Sequence, residues 1–153
     1  MGSMTGADEL ADVLAGIQRL VRRRLRQGLP GPRLRGAQVE LLRIVAAQPG
    51  IGVSAAAQEL HLAGNSVSTL VNQLVTAGML ARTPDPADRR AAHLTVTEMA
   101  RDRLAEWERR RSELLAAELG RLPEADQAAL LGALPALRRL AGNLHEELEG
   151  QRV

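Results

Sequence analysis

The residues best placed to do chemistry in this sequence lie in two short stretches. Between positions 65 and 73 the chain carries Asn65, Ser66, Ser68, Thr69, Asn72 and Gln73, interleaved with Val67, Leu70 and Val71. A merely solvated helix face usually carries Glu, Lys and Arg, whereas this one offers small uncharged donors and acceptors. Such groups match the hydrogen-bonding edges that base pairs expose in a major groove. Asp88, Arg89 and Arg90 follow within twenty residues. A guanidinium held out from a turn can enter a narrow minor groove, where the negative potential is strongest. Asp88 is close enough in sequence to brace one of the two guanidinium groups by a charge-assisted hydrogen bond. A local Asp–Arg surface pair accounts for the same three residues and is worth only about 0–1 kcal/mol.

Other chemistries find little support. The chain has no cysteine, which removes disulfides, thiol catalysis and cysteine-based metal or redox sites. Its three histidines, His61, His93 and His145, stand far apart and outside any metal-ligand spacing. No nucleophile has a base at a recognisable spacing and no glycine-rich phosphate loop occurs, so neither an enzyme nor a cofactor is expected. With one Trp and no Phe or Tyr, a stacking platform for single-stranded nucleic acid is nearly impossible. All 20 basic residues are Arg, against 18 acids. Residues 1–32 hold 5 Arg and 3 acids, 33–103 hold 8 and 6, and 104–153 hold 7 and 9, a mild bias rather than a polybasic tail. No window reaches the roughly 18–20 apolar residues of a membrane span, and no secretory signal opens the chain. A cytoplasmic protein without a membrane partner is therefore expected. Met1 to Ser3, ahead of a second Met, are set aside as a candidate expression remnant.

The elements that must position these residues follow from apolar spacing. Leu10, Val13, Leu14, Ile17, Leu20 and Val21 mark one face of a helix from Asp8 to about Gln27, with Asp8 and Glu9 at its positive end. A Gly/Pro-rich stretch at 28–32 stops it. A second helix is expected from Gly36 to Gln48. Ser54 is a candidate cap for a short helix ending near His61. After Leu62-Ala63-Gly64 a further helix runs from about Asn65 to Ala77, with Val67, Leu70, Val71 and Leu74 inward. Two short helices joined by a glycine-containing turn form a helix-turn-helix candidate. Met79–Thr83 and Ala91–Val96, on either side of a Pro/Asp turn, read as a β-hairpin, and a hairpin behind a helix-turn-helix is a wing. Thr97 is a candidate cap for a helix of about 22 residues, long enough to reach roughly 33 Å. Pro123 opens a last helix in which leucines recur from Leu130 to Leu148. The fold class is mainly α with a small β-wing. A winged module at 33–103 is flanked by helical segments at 8–32 and 104–150.

In wording as well as order, Leu74 to Arg82, then Asp85 to Arg90, then Leu94 to Glu98 resemble the MarR (multiple antibiotic resistance regulator) family of winged helix-turn-helix transcription factors. That resemblance spans about residues 8–148. It implies a homodimer whose terminal helices intertwine and whose two winged modules address successive major grooves of a pseudo-palindromic double-stranded DNA operator. It places Asn65, Ser66, Ser68, Thr69 and Gln73 toward the major groove and makes Arg90 the minor-groove arginine, oriented by Asp88. Arg89, Ser54 and Arg82 become candidates for phosphate contact. It implies a regulator, more often a repressor. Many relatives respond to a small aromatic or phenolic anion bound between the dimer helices and the winged module. A small organic anion acting here as effector would need a pocket of aliphatic side chains, Trp107 and Arg, and Trp107 is equally accounted for as a packed interface residue. Two features depart from the family pattern. Ala63-Gly64 replaces a Ser-Pro-like helix start, and Thr69 stands where many members carry Arg or Lys.

The dimer also has an argument of its own. The first helix and the last two carry apolar faces that a module of some 65 residues cannot cover, and a second copy can. All-α packing within one chain is the alternative. Rival functions are an architectural DNA binder without an operator and a winged-helix protein-interaction module.

Overall fold

The computed structural model describes residues 2–28, 33–88 and 90–150. The chain divides into two compact units, Met1–Arg111 and Ser112–Val153. The first contains α1 (Gly2–Arg26), α2 (Gly36–Ala47), β1 (Ile51–Gly52), α3 (Val53–Leu60), α4 (Gly64–Thr76), β2 (Leu80–Pro84), β3 (Ala92–Val96) and the first part of α5 (Glu98–Gly120). The second contains the end of α5 and α6 (Glu124–Gly150). The fold is mainly helical with a small antiparallel sheet, as the sequence implies.

That sheet has three strands in the order β1-β3-β2. β2 and β3 form the expected hairpin, with Leu80 opposite Val96 and Arg82 opposite Leu94. The third strand, Ile51–Gly52, pairs with Leu94 and His93 and fastens the hairpin to the segment between α2 and α3. Two residues carry no alternation, so nothing in the apolar pattern announces β1.

The core of the first unit gathers side chains from every element around the helix-turn-helix. Leu41, Leu42 and Val45 of α2, Ala56 and Ala57 of α3, and Val67, Val71 and Leu74 of α4 are buried with Met79, Leu80, Leu94, Val96, Ala100 and Leu104. No polar or charged residue is buried among the described residues. α4 thus has one fully apolar face, and its remaining surface is left to hydrogen-bonding groups.

Helix ends settle the local geometry. Gly78 follows α4 at φ +72, and the Gly78 and Met79 N–H groups donate to the Val75 and Leu74 carbonyls at 3.0 and 2.8 Å. This left-handed C-terminal turn places β2 directly after α4. Thr97 caps α5 as expected: its hydroxyl oxygen accepts from Ala100 N–H at 3.2 Å and its proton goes to the Gly78 carbonyl at 2.8 Å. One threonine therefore ties the start of α5 to the end of α4.

Other boundaries differ from expectation. α1 begins at Gly2, so Asp8 and Glu9 lie beyond its first turn, where the dipole effect has faded. Ser54 is not the cap of α3. Gly52 holds that position, and Ser54 sits exposed in the first helical turn. The turn between α3 and α4 is made left-handed by His61, at φ 53, while Gly64 is already helical. α6 starts at Glu124, with the Pro123 carbonyl accepting from Asp126 and Gln127.

Outside the core, apolar side chains remain uncovered. On α1, Leu10, Val13, Leu14, Ile17 and Leu20 are 42–62% exposed, and on α6 Leu130, Leu131, Leu134, Leu140 and Leu144 are 39–58% exposed. No helix among the described residues is long and apolar enough to cross a membrane.

Candidate nucleic-acid interface

The turn Leu62-Ala63-Gly64 offers no side-chain oxygen, so α4 starts from Ala63 without a side-chain cap. Asn65 supplies a partial substitute: its Oδ1 accepts from the Ser66 N–H at 2.8 Å. One turn on, the Thr69 hydroxyl donates to the Asn65 carbonyl at 3.1 Å. Asn65, Ser66, Thr69 and Gln73 are all exposed, together on the surface opposite Val67, Val71 and Leu74. Ser68 is half-buried. At 100° per residue Ser66 and Ser68 stand at the two edges of the exposed face, and of the two only Ser68 is partly covered. The same arithmetic places Asn72 and Thr76 near the centre of that face, and both are exposed. Thr76 escaped notice because the polar run ends at Gln73, although helical spacing from Asn65 and Thr69 would have found it.

A second residue missed by sequence lies on α2. The Gln38 side chain accepts from the Arg35 backbone N–H at 2.8 Å through Oε1 and donates through Nε2 to Gln73 Oε1 at 3.1 Å. Gln three residues after the helix cap is half of a capping box. The other half cannot form, because a guanidinium has no acceptor.

Two aspartates build the wing tip. Asp85 Oδ1 accepts from Ala87 N–H at 2.8 Å, and the Asp85 backbone N–H donates to the Ala91 carbonyl at 3.1 Å. Asp88 Oδ1 accepts from the Arg90 backbone N–H at 2.9 Å. Asp88 thereby fixes the main chain at Arg90, as a short Asp side chain does by reaching the amide two residues on. Arg90 is exposed at the tip. Arg89 lies outside the described residues. Arg82, on β2, shares the sheet face of Leu94 but projects past the core and is exposed.

Behind the tip, His93 joins three segments. Its Nδ1 lies 2.7 Å from the Gly50 carbonyl and its Nε2 3.2 Å from Asp85 Oδ2. The carbonyl can only accept, so Nδ1 carries a proton. This bond ties β3 to the turn before β1, and the Asp85 carboxylate of the wing turn lies beside the other ring nitrogen.

Further along, Trp107 is half-buried on α5. Beside it Glu106 accepts from Arg109 at 2.9 and 3.0 Å and from Arg110 at 2.6 Å. The hydrogen bonds from Arg109 and Arg110 hold the Glu106 carboxyl down at about 2, well below its usual range. Arg110 also donates to the Gly28 carbonyl at 3.1 Å, tying α5 to the segment after α1. Among the described residues no cluster of three or more His, Asp or Glu is grouped to hold a metal ion.

Comparisons with known proteins agree with this arrangement. The sequence pattern of the MarR family matches residues 27–91, which take in α2, the helix-turn-helix and the wing as far as Ala91. A transcriptional regulatory protein assigned to the hcr operon of Thauera aromatica is 32% identical over 102 residues, covering 65% of this chain. The chain spans about 60% of that relative's length. Among solved structures, FabT of Streptococcus pneumoniae, crystallised with DNA, superposes at a TM-score of 0.70 with 19% identity, over 90% of this chain and 95% of that one. PcaV of Streptomyces coelicolor, solved with its natural ligand, superposes at 0.60 with 21% identity, over 87% and 89%. The helix-turn-helix, its polar outer face and the hairpin behind it form a winged module whose sequence, over residues 27–91, is similar to the MarR family.

Proposed function

We propose that the protein is a homodimeric, sequence-specific DNA-binding transcriptional regulator, acting as a repressor by occupying a pseudo-palindromic operator. The observation that carries this reading is α4. Its apolar side is buried among Leu41, Leu42, Leu94 and their neighbours, while Asn65, Ser66, Thr69, Asn72 and Gln73 stand exposed and uncharged. Such a helix presents base-reading groups from a rigid support. Each good contact is worth about 1–3 kcal/mol of discrimination, and arginines such as Arg90 and Arg82 add salt-sensitive affinity for phosphate. In this reading 33–103 is the DNA-binding module, with Ser54 offering a phosphate its hydroxyl from the first turn of α3.

Segments 8–32 and 104–150 then serve dimerisation. The five exposed apolar residues of α1, each about half uncovered, would contribute roughly 4–8 kcal/mol per chain on burial. Two chains together, at about 8–16 kcal/mol, are of the same order as the association cost of about 4–15 kcal/mol. An organic anion is the effector class that suits the Arg residues near Trp107.

Selection of the purified protein against random duplexes, at physiological salt with competitor DNA, tests the reading. Recovery of an inverted repeat with half-sites about 10 base pairs apart supports it. Recovery of unsorted AT-rich DNA would favour an architectural role, and recovery of nothing a protein-interaction module.

A further inference from the structure

Three polar side chains along α4, those of Asn65, Thr69 and Gln73, are held by a backbone atom or by a chain of bonds that begins at one. A backbone N–H can only donate and a backbone carbonyl can only accept, so the polarity of each side chain is fixed. Asn65 has its oxygen on the Ser66 N–H and is left with donors. Thr69 gives its proton to the Asn65 carbonyl and is left with lone pairs. Gln73 is reached through Gln38. The Arg35 N–H fixes Gln38 Oε1 as an acceptor, so the other end of that amide is the NH2 group. The atom of Gln73 facing it at 3.1 Å must then be Oε1. The Gln73 oxygen is turned toward α2, and its NH2 is left for whatever lies outside.

We infer that Gln38 is a specificity-determining residue: by holding the Gln73 oxygen toward α2 it leaves Gln73 to read through its NH2 group, which favours guanine N7 and O6 or thymine O4 over adenine, whose N7 acceptor stands beside the N6 donor. A free glutamine would do otherwise, since its amide can pair with adenine N6 and N7 at once. Gln38 acts through Gln73 and touches no base itself; it is a positioning residue. The inference rests on the proposed reading of α4 as a DNA-reading helix and deepens it. Residues 65, 69 and 73 follow one another at four-residue intervals, about 6 Å apart along the axis. The face therefore reads donor, acceptor, donor in sequence.

Gln38→Glu tests this. A carboxylate at position 38 still accepts from the Arg35 N–H, and glutamate suits the third position of a helix, so α2 is retained and a thermal melt verifies it. Its other oxygen can only accept. Gln73 must then turn its NH2 toward α2 and its oxygen outward, which favours cytosine N4 or adenine N6. The experiment selects binding sites from random duplexes with the wild-type chain, Gln73→Ala and Gln38→Glu, and compares base preferences position by position. Gln73→Ala identifies the position that residue 73 reads. There the wild type is expected to prefer G or T, and Gln38→Glu to shift toward A or C by at least about fivefold, with neighbouring positions unchanged. Gln38→Ala, which releases the Gln73 oxygen, is expected to admit adenine beside guanine at the same position. An unchanged preference in Gln38→Glu, or a wild-type preference for adenine there, overturns the inference and leaves the DNA-reading function standing. So does a Gln73→Ala pool identical to wild type. A wild-type pool without any selected sequence overturns the proposed function and this inference with it.

Discussion

Arg90 and Asp88 divide their work in a way that can be measured. Arg90 carries the charge, and Asp88 shapes the backbone beneath it through the 2.9 Å bond to the Arg90 N–H. Arg90→Ala is expected to weaken operator binding roughly 10- to 100-fold, as loss of a charged hydrogen bond does, and to lower the salt slope by about one. Asp88→Ala should cost roughly three- to tenfold with the slope unchanged, because no cation is lost. Fluorescence anisotropy across a salt series separates the two. On α5, the Glu106 carboxyl is expected to titrate at about 2 rather than near 4.5, since Arg109 and Arg110 both donate to it. Its stabilising effect is then complete above the unfolded-state value and fades as pH falls toward about 2. A carboxyl titration by NMR reads this directly, and a midpoint near 4.5 would show those bonds to be absent in solution. At this scale the sequence disclosed the polar face because the four inward residues, Val67, Leu70, Val71 and Leu74, leave it no other side. It did not disclose Gln38, which lies 35 positions from Gln73 and meets it only after α2 and α4 have packed. Asp88 was legible as a partner of the tip, and its bond to the Arg90 amide adds a backbone role that the residue types alone did not show.

Whole elements owe their placement to a few turns. Gly78 sits at φ +72, and a Cβ added there would meet Met99 Cε at 3.4 Å. Gly78→Val is therefore expected to destabilise the fold by about 1–3 kcal/mol, seen as a lower denaturation midpoint with an unchanged slope. The apolar spacing of α2 and α4, the Pro/Asp turn of the hairpin and the Thr97 cap all announced themselves locally, and the structure has them where expected. β1 did not, because its pairing with β3 is a contact across more than forty residues, made by a segment of only two. The α3 cap passed from Ser54 to Gly52 for a related reason. Pairing of Ile51–Gly52 sets the backbone entering α3, and the helix starts where that strand ends.

Across the whole molecule, the apolar stripes of α1 and α6 are the largest feature the single chain leaves unresolved. Ile17→Glu, at a position 49% exposed, is expected to convert a dimer to folded monomers in sedimentation and to lower operator affinity with them; a persistent dimer would place the interface elsewhere. The sequence showed these faces through leucine spacing; the second copy proposed to cover them is something no spacing within one chain can display. In the proposed dimer two winged modules, held at a fixed separation, read one duplex. Binding to a selected inverted repeat, compared with binding to the same repeat lengthened by about 5 base pairs between half-sites, tests this arrangement. Half a helical turn rotates one half-site to the far side of the DNA. Affinity is expected to fall to the level of a single half-site; equal affinity for the two duplexes would show that the two modules do not read one duplex together.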